Sequence, residues 1–396
     1  MLSNKESGRS IMILMVSVAI IGCNSFLISP ILNDIASSLS ASTAQVSRAI
    51  SAYGGATALS SLFLAPYAGK IGITRSIRYA GMLMIVGIAL SGISLSWWML
   101  TIAQSIAGVA AGLMLPAIYT LTSDVAPEGE KSQALGKVIT GWSLAMVIGI
   151  PLSAVIADIT NWRVAYGLMT VLGLVFLLFS KRLPVIDTPA DKLGFPFEEY
   201  RKNPDILIMF VVTLLYMTSF YGLYSFVGSF ARDSFYNSAA LAGLITMAYG
   251  IGFGVASLKA RWIDKFSPQS SACIIFITIS LIYAILSVSG SSIYLLLVAC
   301  LLWGAANHFG LNVIVSLLIQ LSSSYKTATL GMYSALSYSG TMIGGLAYGY
   351  VFNRQGFTSI AYISLILCIT AAFLAWFIFN HKPKSYQDTL KTKNKL

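Results

Sequence analysis

The sequence predicts an all-α membrane protein in which twelve transmembrane helices form two pseudo-symmetric bundles of six. Three observations support this prediction: the composition, the spacing of apolar segments, and the distribution of lysine and arginine. Of the 396 residues, 57% are hydrophobic and 10% are charged, and the mean hydropathy is +0.79. Soluble proteins carry about 25% charged and about 45–50% apolar residues. The composition therefore argues against a soluble enzyme, and it excludes a disordered chain, whose hydrophobicity is low.

Long apolar segments bounded by charged residues or by Pro, Gly and Asn mark the helices in order. Each segment approaches the roughly 20 apolar residues that a helix needs to span a bilayer. The first is longer than the apolar core of a signal peptide, so we expect it to remain as a span. The predicted helices lie near residues 10–32, 46–68, 77–97, 98–122, 133–157, 163–181, 206–230, 239–259, 271–290, 292–320, 328–352 and 358–380.

Basic residues indicate how the helices are oriented. With an even number of helices, both termini and the loops after even-numbered helices share one side, which carries 21 of the 25 basic residues. The other side carries Arg48, Arg163, Arg232 and Arg354. The positive-inside rule then predicts cytoplasmic termini in a bacterial inner membrane. The net charge of +11 is explained by topology, so no nucleic-acid partner is expected.

A Pro-rich, charged loop divides the chain into halves. The predicted organisation is an N-terminal bundle at 1–181, a cytoplasmic loop at 182–205, a C-terminal bundle at 206–380 and a basic tail at 381–396. The halves repeat weakly at an offset of about 195 residues; Ala134-Leu135-Gly136, for example, aligns with Thr329-Leu330-Gly331. Such internal symmetry is typical of duplicated transporter halves with a site between them near the midplane.

Two six-helix halves, a long middle loop and short basic loops after helices 2 and 8 resemble the major facilitator superfamily. In that family the loop after helix 2 reads roughly G-x-x-x-D-R/K-x-G-R-R, with an acid that interlocks with neighbouring helix ends. Here Gly69 replaces the acid, whereas the corresponding loop of the second half restores it as Asp264. The resemblance implies gating roles for Lys70, Arg75, Asp264 and Lys265.

Helices 4 and 5 suggest a branch of the family. Gln104 stands where antiporters of the family carry an arginine linked to proton transfer, and Gly108 and Gly112 follow it. Small residues at this spacing let helices approach closely, so we interpret both glycines as packing residues. The segment from Gln133 to Leu152 resembles the sugar-efflux, arabinose-efflux-permease-like branch of the drug/proton antiporters. That resemblance implies a small-molecule substrate and a proton as coupling ion.

Few ionisable residues fall within the predicted spans, where a charge is costly and therefore a functional candidate. Asp34, Asp158 and Asp233 fall at predicted helix ends, where we expect them to be solvated. Antiporters of this type often carry an acid in helix 1, but residues 23–26 read Cys-Asn-Ser-Phe. His308 is the first candidate for proton coupling, because imidazole titrates near neutral pH, and Asp34 is the second. A histidine hydrogen-bonded across helices is the alternative.

Polar and aromatic side chains recur along several predicted helices. A pocket with aromatic walls and few polar groups suits small organic solutes that are neutral or weakly charged. Hydrogen bonding between helices is the alternative explanation for polar residues in such positions. The predicted substrate-binding residues are Asn24, Ser25, Tyr53, Gln104, Trp142, Tyr216, Tyr221, Tyr224, Trp303, Asn307, Ser334 and Tyr338.

Motifs of other functional classes are absent from the sequence. There is no phosphate-binding G-x-x-x-x-G-K-[ST], no G-x-S-x-G and no H-E-x-x-H, which excludes an ATP-driven pump and disfavours hydrolases. The four cysteines stand singly, and no acid, cysteine or second histidine accompanies His308 at ligand spacing, so we expect neither metal nor cofactor.

The sequence and the resemblance together predict a monomeric secondary active transporter in the lipid bilayer. We expect alternating access and proton-coupled efflux of a drug, sugar or metabolite. An uptake permease or uniporter of the same fold remains open. A membrane-embedded enzyme or a transporter-like sensor is a less favoured alternative.

Overall fold

The computed structural model describes residues 4–128, 130–185, 197–258, 268–322 and 326–380, and all regular elements within these ranges are helical. Nine segments among the described residues are long and apolar enough to cross a membrane. The last, Ala328–Ile378, contains two spans, because Gly356 interrupts the helix with φ 77° and ψ −174°. The helix beginning at Thr43 and the shorter apolar helix Ser271–Ser287 provide the remaining two spans. The predicted twelve-helix fold is confirmed.

We label the spans α1 to α12 in chain order. Their helical segments are Asn4–Phe26 and Ile28–Ser38 (α1); Thr43–Leu59, Ser60–Leu64, Ala65–Tyr67 and Ala68–Ile71 (α2); Ile73–Gly92 (α3); Trp97–Val125 (α4); Lys131–Leu144, Ala145–Gly149 and Ile150–Ile159 (α5); Trp162–Ser180 (α6); Pro204–Ser234 (α7); Ala239–Leu258 (α8); Pro268–Ser287 (α9); Ile293–Leu321 (α10); Lys326–Ile343, Gly344–Tyr348 and residues 349–355 (α11); and residues 357–380 (α12). A short helix, Phe197–Lys202, precedes α7.

The two faces of the molecule differ in which loops they carry. We call the face with the loops after α1, α3, α5, α7, α9 and α11 the distal face. The opposite face, where α1 begins and α12 ends, is the terminal face. Between the halves, α1 packs against α7, α2 against α11, and α5 against α8. The internal duplication relates α2 to α8 and α5 to α11, so the last two contacts are symmetry-related.

Glycine allows neighbouring helices to approach equally closely in both halves. A Cβ on Gly108 of α4 would overlap the carbonyl oxygen of Tyr53 in α2. Gly304 of α10 has the same relation to the carbonyl oxygen of Tyr249 in α8. Both residues of this second pair lie 196 positions after their counterparts in the first pair. Gly112 lies equally close to the carbonyl oxygen of Thr57. The interpretation of Gly108 and Gly112 as packing residues is confirmed.

Several spans depart from regular α-helix beside the interface between halves. Helix α1 is interrupted between Phe26 and Ile28, and Pro30 has no N–H to donate to the Phe26 carbonyl. Helices α2, α5 and α11 each contain a five-residue π-helical segment. Such segments are rare and often occur at functional sites.

Candidate functional site

The candidate site lies about midway along the spans, where the two halves meet. It consists of one buried hydrogen-bond network in each half and a set of aromatic side chains between them. We call this region the central zone. It comprises Asn24, Ser25, Phe26, Tyr53, Gln104, Tyr119, Trp142, Tyr216, Tyr221, Tyr224, Tyr249, Asn307, Tyr333 and Tyr338.

Gln104 organises the network of the first half. Its Oε1 accepts a hydrogen bond from Asn24 Nδ2 at 3.1 Å, and its Nε2 lies 3.0 Å from Ser91 Oγ and 3.3 Å from the Tyr166 hydroxyl. All four side chains are buried. Because both ends of the amide already have protein partners, Gln104 holds α1, α3, α4 and α6 together.

Ser25 and Tyr53 connect this network to the other half. Their hydroxyl oxygens lie 2.8 Å apart, and Ser25 Oγ also donates to the Ile21 carbonyl in its own helix. The Tyr53 ring packs edge-on against Tyr338 of α11, with ring centroids 6.4 Å apart. Tyr338 is 6% exposed, so this pair forms part of the sealed contact between α2 and α11.

Asn307 organises the network of the second half. The Tyr216 hydroxyl donates a short hydrogen bond to Asn307 Oδ1, and Asn307 Nδ2 donates to the Tyr249 hydroxyl at 2.6 Å. All three side chains are fully buried or nearly so. An unpaired buried amide would be costly, and here both ends are satisfied by tyrosines of α7 and α8.

Phe26 joins the two halves at the interruption of α1. Its ring stacks on Tyr221 of α7 with centroids 5.8 Å apart and an interplanar angle of 13°, and it meets Tyr224 edge-on at 4.9 Å. It also contacts the ring of Trp142 in α5, edge-on at 6.3 Å. One phenyl ring therefore touches aromatic side chains of both halves.

Three further tyrosines of the central zone, Tyr119, Tyr221 and Tyr333, are partly exposed. They lie near the buried Tyr338. Trp142 Nε1 donates to the Tyr119 hydroxyl at 3.4 Å. Within the described part of the central zone, no member carries a charge. The arrangement offers ring faces and hydroxyls to a ligand without an ionic partner.

Four members of the central zone were not predicted from the sequence, namely Phe26, Tyr119, Tyr249 and Tyr333. Tyr249 could have been found, because it stands 196 residues after Tyr53 in the duplicated sequence. Tyr119 lies seven residues after Gly112, a spacing that puts both on one helix face. No comparable signal distinguishes Phe26 from other apolar residues of α1.

The remaining predicted binding residues differ in their surroundings. Tyr224 and Trp303 pack within the aromatic cluster of the second half, 5.1 Å and 5.1 Å from the Tyr249 ring centroid. The Tyr224 hydroxyl and Trp303 Nε1 are buried without hydrogen-bond partners among the described residues. Ser334 is partly exposed on α11, next to Tyr333.

His308 lies on the contact between α10 and α8. Its ring meets Phe253 edge-on, with centroids 4.8 Å apart. Both ring nitrogens are buried, and neither forms a hydrogen bond within the described residues. The alternative of a histidine hydrogen-bonded across helices is therefore not what the structure contains. In the duplicated sequence His308 takes the position of Gly112. No group of three His, Cys, Asp or Glu among the described residues could hold a metal.

Carboxylates at the distal face contact the opposite half. Asp34 forms an ion pair with Arg232, and Asp158 accepts hydrogen bonds from Ser238 Oγ and from the backbone N–H of Ala239. The expectation of a solvated helix end is wrong for Asp34, which is ion-paired and only 27% exposed. Asp158 is exposed, as expected, but its hydrogen bonds cross to the opposite half. Asp233 is exposed, as expected, but it also accepts a hydrogen bond across the interface, from Asn33 at 3.2 Å.

Two of the predicted gating residues, Lys70 and Arg75, lie at the terminal face. Lys70 Nζ lies over the Tyr67 ring, 5.0 Å from its centroid, and Arg75 is exposed. Asp264 and Lys265 fall outside the described residues. The basic residue with helix-end contacts in this region is Arg78, which donates to the carbonyls of Ser180, Lys181 and Leu183. A cation at the C-terminal end of α6 complements the helix dipole.

Comparisons with known proteins agree with this architecture. The family model described as Major Facilitator Superfamily matches residues 14–326 and 209–395. An uncharacterized MFS-type transporter, YwfA of Bacillus subtilis, is 24% identical over 374 residues, which cover 92% of this chain and 91% of that protein. A probable sugar efflux transporter of Helicobacter acinonychis is 26% identical over 387 residues, covering 96% and 98%.

A solved structure has the same fold. A mutant of the nucleoside transporter NupG superimposes with a TM-score of 0.79 at 14% identity, covering 94% of this chain and 100% of that one. With the family match extending over nearly the whole sequence, this chain belongs to the Major Facilitator Superfamily and is a membrane transporter rather than an enzyme.

Proposed function

We propose that this transporter exports a small, uncharged organic solute that carries rings or several hydroxyl groups. The observation that supports this substrate class is the central zone, which combines partly exposed tyrosines with buried ring faces and has no charged member among its described residues. Pockets of this composition bind apolar faces and fix orientation with a few polar groups. Sugars match it chemically, and two relatives are named probable sugar efflux transporters.

The proposed route begins at the terminal face. Cross-half hydrogen bonds cluster at the distal face, at Asn33, Asp34 and Asp158, so a solute would enter the central zone from the opposite side. The 21 basic residues on the terminal side support a cytoplasmic location for that face in a bacterial inner membrane. Rocking of the two halves would then open the distal face and release the solute outside.

We assign proton coupling to His308. In the distally closed conformation its ring faces Phe253, and no acceptor among the described residues neutralises a charged imidazolium there. A buried charge without a partner is strongly unfavourable. A proton bound while the distal face is open would therefore be expelled on closure, which moves protons inward. A ligand shifts a conformational equilibrium only through such a difference in affinity between states.

Transport in inverted membrane vesicles tests this proposal. We expect an acidic interior to drive accumulation of at least one labelled monosaccharide or disaccharide, and a protonophore to abolish it. His308→Ala should bind that solute with similar affinity but lose the dependence on the pH gradient. Asn312→Ala, one turn along α10, is the matched control and should keep the dependence on the pH gradient. Among the described residues, Asn312 Nδ2 donates only to the carbonyl of His308 in its own helix.

Each part of the proposal can be contradicted separately. Gradient-driven transport that is unchanged in His308→Ala would move the proton role elsewhere. Equilibration without a gradient effect would indicate a uniporter. Accumulation confined to right-side-out vesicles would indicate an uptake permease.

A further inference from the structure

We propose that two carboxylates of the first half bind the end of α7 and the start of α8 and thereby hold the distal face closed. We call this group of side chains the distal clamp. It consists of Asp34 and Asp158 from the first half, and of Arg232, Asn237 and Ser238 from the second. The inference rests on the proposed alternating access, and it assigns positioning residues to that cycle.

The first contact of the distal clamp is a bidentate ion pair. Arg232 donates to the two carboxylate oxygens of Asp34 at 2.5 and 2.8 Å, and its Nε and second terminal nitrogen also donate to Asn237 Oδ1 at 3.1 and 3.0 Å. The Arg232 side chain is only 5% exposed. Paired guanidinium and carboxylate forks are among the strongest hydrogen-bonding arrangements. Separation of the halves would remove from this cation the counter-charge that offsets its burial in the closed arrangement.

In the second contact of the distal clamp, Asp158 of the first half caps the start of α8 in the second half. Asp158 Oδ1 accepts the N–H of Ala239, the first residue of α8, and Oδ2 accepts the Ser238 hydroxyl, both at 2.8 Å. A carboxylate is favourable at a helix N-terminus. However, Ser238 Oγ also accepts the Leu241 N–H at 3.3 Å, so α8 has an N-cap of its own. Asp158 therefore contributes to the contact between halves, and α8 can begin without it.

The other arginines described at the distal face make contacts within their own halves. Arg163 donates to Ser38 and to the Ser94 carbonyl, and the guanidinium of Arg48 lies over Trp97. Arg354 lies over Tyr350 in the second half. Among the described residues, Asp34 and Arg232 form the ion pair that crosses the interface. Its acid belongs to one half and its base to the other, so opening must break it.

Distance measurements between the halves test the clamp. Leu95 and Tyr294 are 81% and 78% exposed. Leu95 lies in the distal loop between α3 and α4, and Tyr294 lies at the distal end of α10. Nitroxide labels at Leu95→Cys and Tyr294→Cys, with the four native cysteines replaced by alanine, report separation of the distal loops in the purified full-length protein without any solute. We expect the shorter distance to dominate in the otherwise unaltered chain.

Neutralising the clamp should shift this distribution. Asp34→Asn and Asp158→Asn should each raise the ratio of long to short distances, about tenfold for Asp34→Asn, since a charge-assisted pair is lost. The exchanged pair Asp34→Arg with Arg232→Asp should restore the shorter distance. Arg163→Gln, which removes a distal charge with contacts inside one half, is the matched control and should leave the distribution unchanged.

The proposal is overturned if neither Asp34→Asn nor Asp158→Asn lengthens the distance, or if Arg163→Gln lengthens it equally. An exchanged pair that behaves like Asp34→Asn alone would overturn the ion-pair role. These readings need no identified solute. Normal transport with unchanged distances would remove the clamp alone, whereas absent transport with shifted distances would count against the proposed function alone.

Discussion

At the scale of single residues, side chains of the central zone differ in whether their hydrogen bonds are already used. Gln104 and Asn307 are buried and bonded at both ends of their amides. Tyr119, Tyr221 and Tyr333 are partly exposed. The first group can fix the geometry of the zone, and the second can change partners when a solute arrives. Contact with solute is therefore expected at the tyrosines rather than at the amides.

Two tyrosines of α7 allow a direct test of this division. Tyr221→Phe should weaken apparent solute affinity about 3- to 10-fold, the value of one net hydrogen bond, with little change in thermal stability. Tyr216→Phe should instead lower stability, by about 1–3 kcal/mol, because Asn307 Oδ1 loses its buried donor. Transport kinetics and thermal unfolding of the purified proteins measure the two effects. The division fails if Tyr216→Phe weakens affinity more than Tyr221→Phe does.

The same contrast explains how far residue roles could be predicted. Asn24, Gln104 and Asn307 were predicted as polar side chains within apolar helices, and they are buried members of the central zone. Polarity alone does not distinguish an amide that faces a ligand from one bonded to a neighbouring helix. Phe26 shows the opposite difficulty, because an apolar residue in an apolar span has no signature until its neighbours in space are known.

At the scale of elements, the duplicated pairs α2·α4 and α8·α10 form close helix contacts around the zone. In each pair a glycine meets the backbone oxygen of a tyrosine, Gly108 against Tyr53 and Gly304 against Tyr249. The side chains of these two tyrosines reach Ser25 and Asn307. Close packing of the backbones therefore sets where the polar side chains stand, and this connection follows from a spacing visible in the sequence.

Substitution of glycines on this contact should separate packing from helix propensity. Gly304→Ala should destabilise the protein by about 1–3 kcal/mol or more, because the new methyl group overlaps the Tyr249 carbonyl and the helices must move apart. Gly254→Ala in α8 is the control, since its Cβ would meet nothing within 4 Å, and alanine favours helix by up to about 1 kcal/mol. Thermal unfolding in detergent compares them. Equal melting temperatures would show that this contact tolerates expansion.

At the scale of the whole molecule, the number of spans was predictable because hydropathy is a local property of the chain. The cross-half contacts were not. Asp34 and Arg232 are 198 positions apart, and each looks like an ordinary polar residue at a helix end. Whether they meet depends on which face is closed, which is a property of a conformational state. One sequence encodes both conformational states. Residue pairs that meet in only one of these states therefore leave no pattern of their own in the sequence.

Locking the halves together tests whether transport needs them to move. Gly243 of α8 lies against Ala154 of α5 in the other half. A Cβ atom added at Gly243 would lie 2.7 Å from the Cβ of Ala154. If the two helices move apart slightly, this distance reaches the roughly 3.5–4.5 Å between the Cβ atoms of a disulfide. We expect Gly243→Cys with Ala154→Cys, once oxidised, to stop transport, and reduction to restore it. Gly228→Cys with Ala242→Cys joins α7 to α8 within the second half, at a corresponding separation of 3.2 Å, and should leave transport intact. Peptide mapping by mass spectrometry establishes that each disulfide has formed. Undiminished transport through a fully cross-linked Ala154–Gly243 pair would mean that the solute crosses without separation of α5 from α8, and the rocking of the two halves would have to be abandoned.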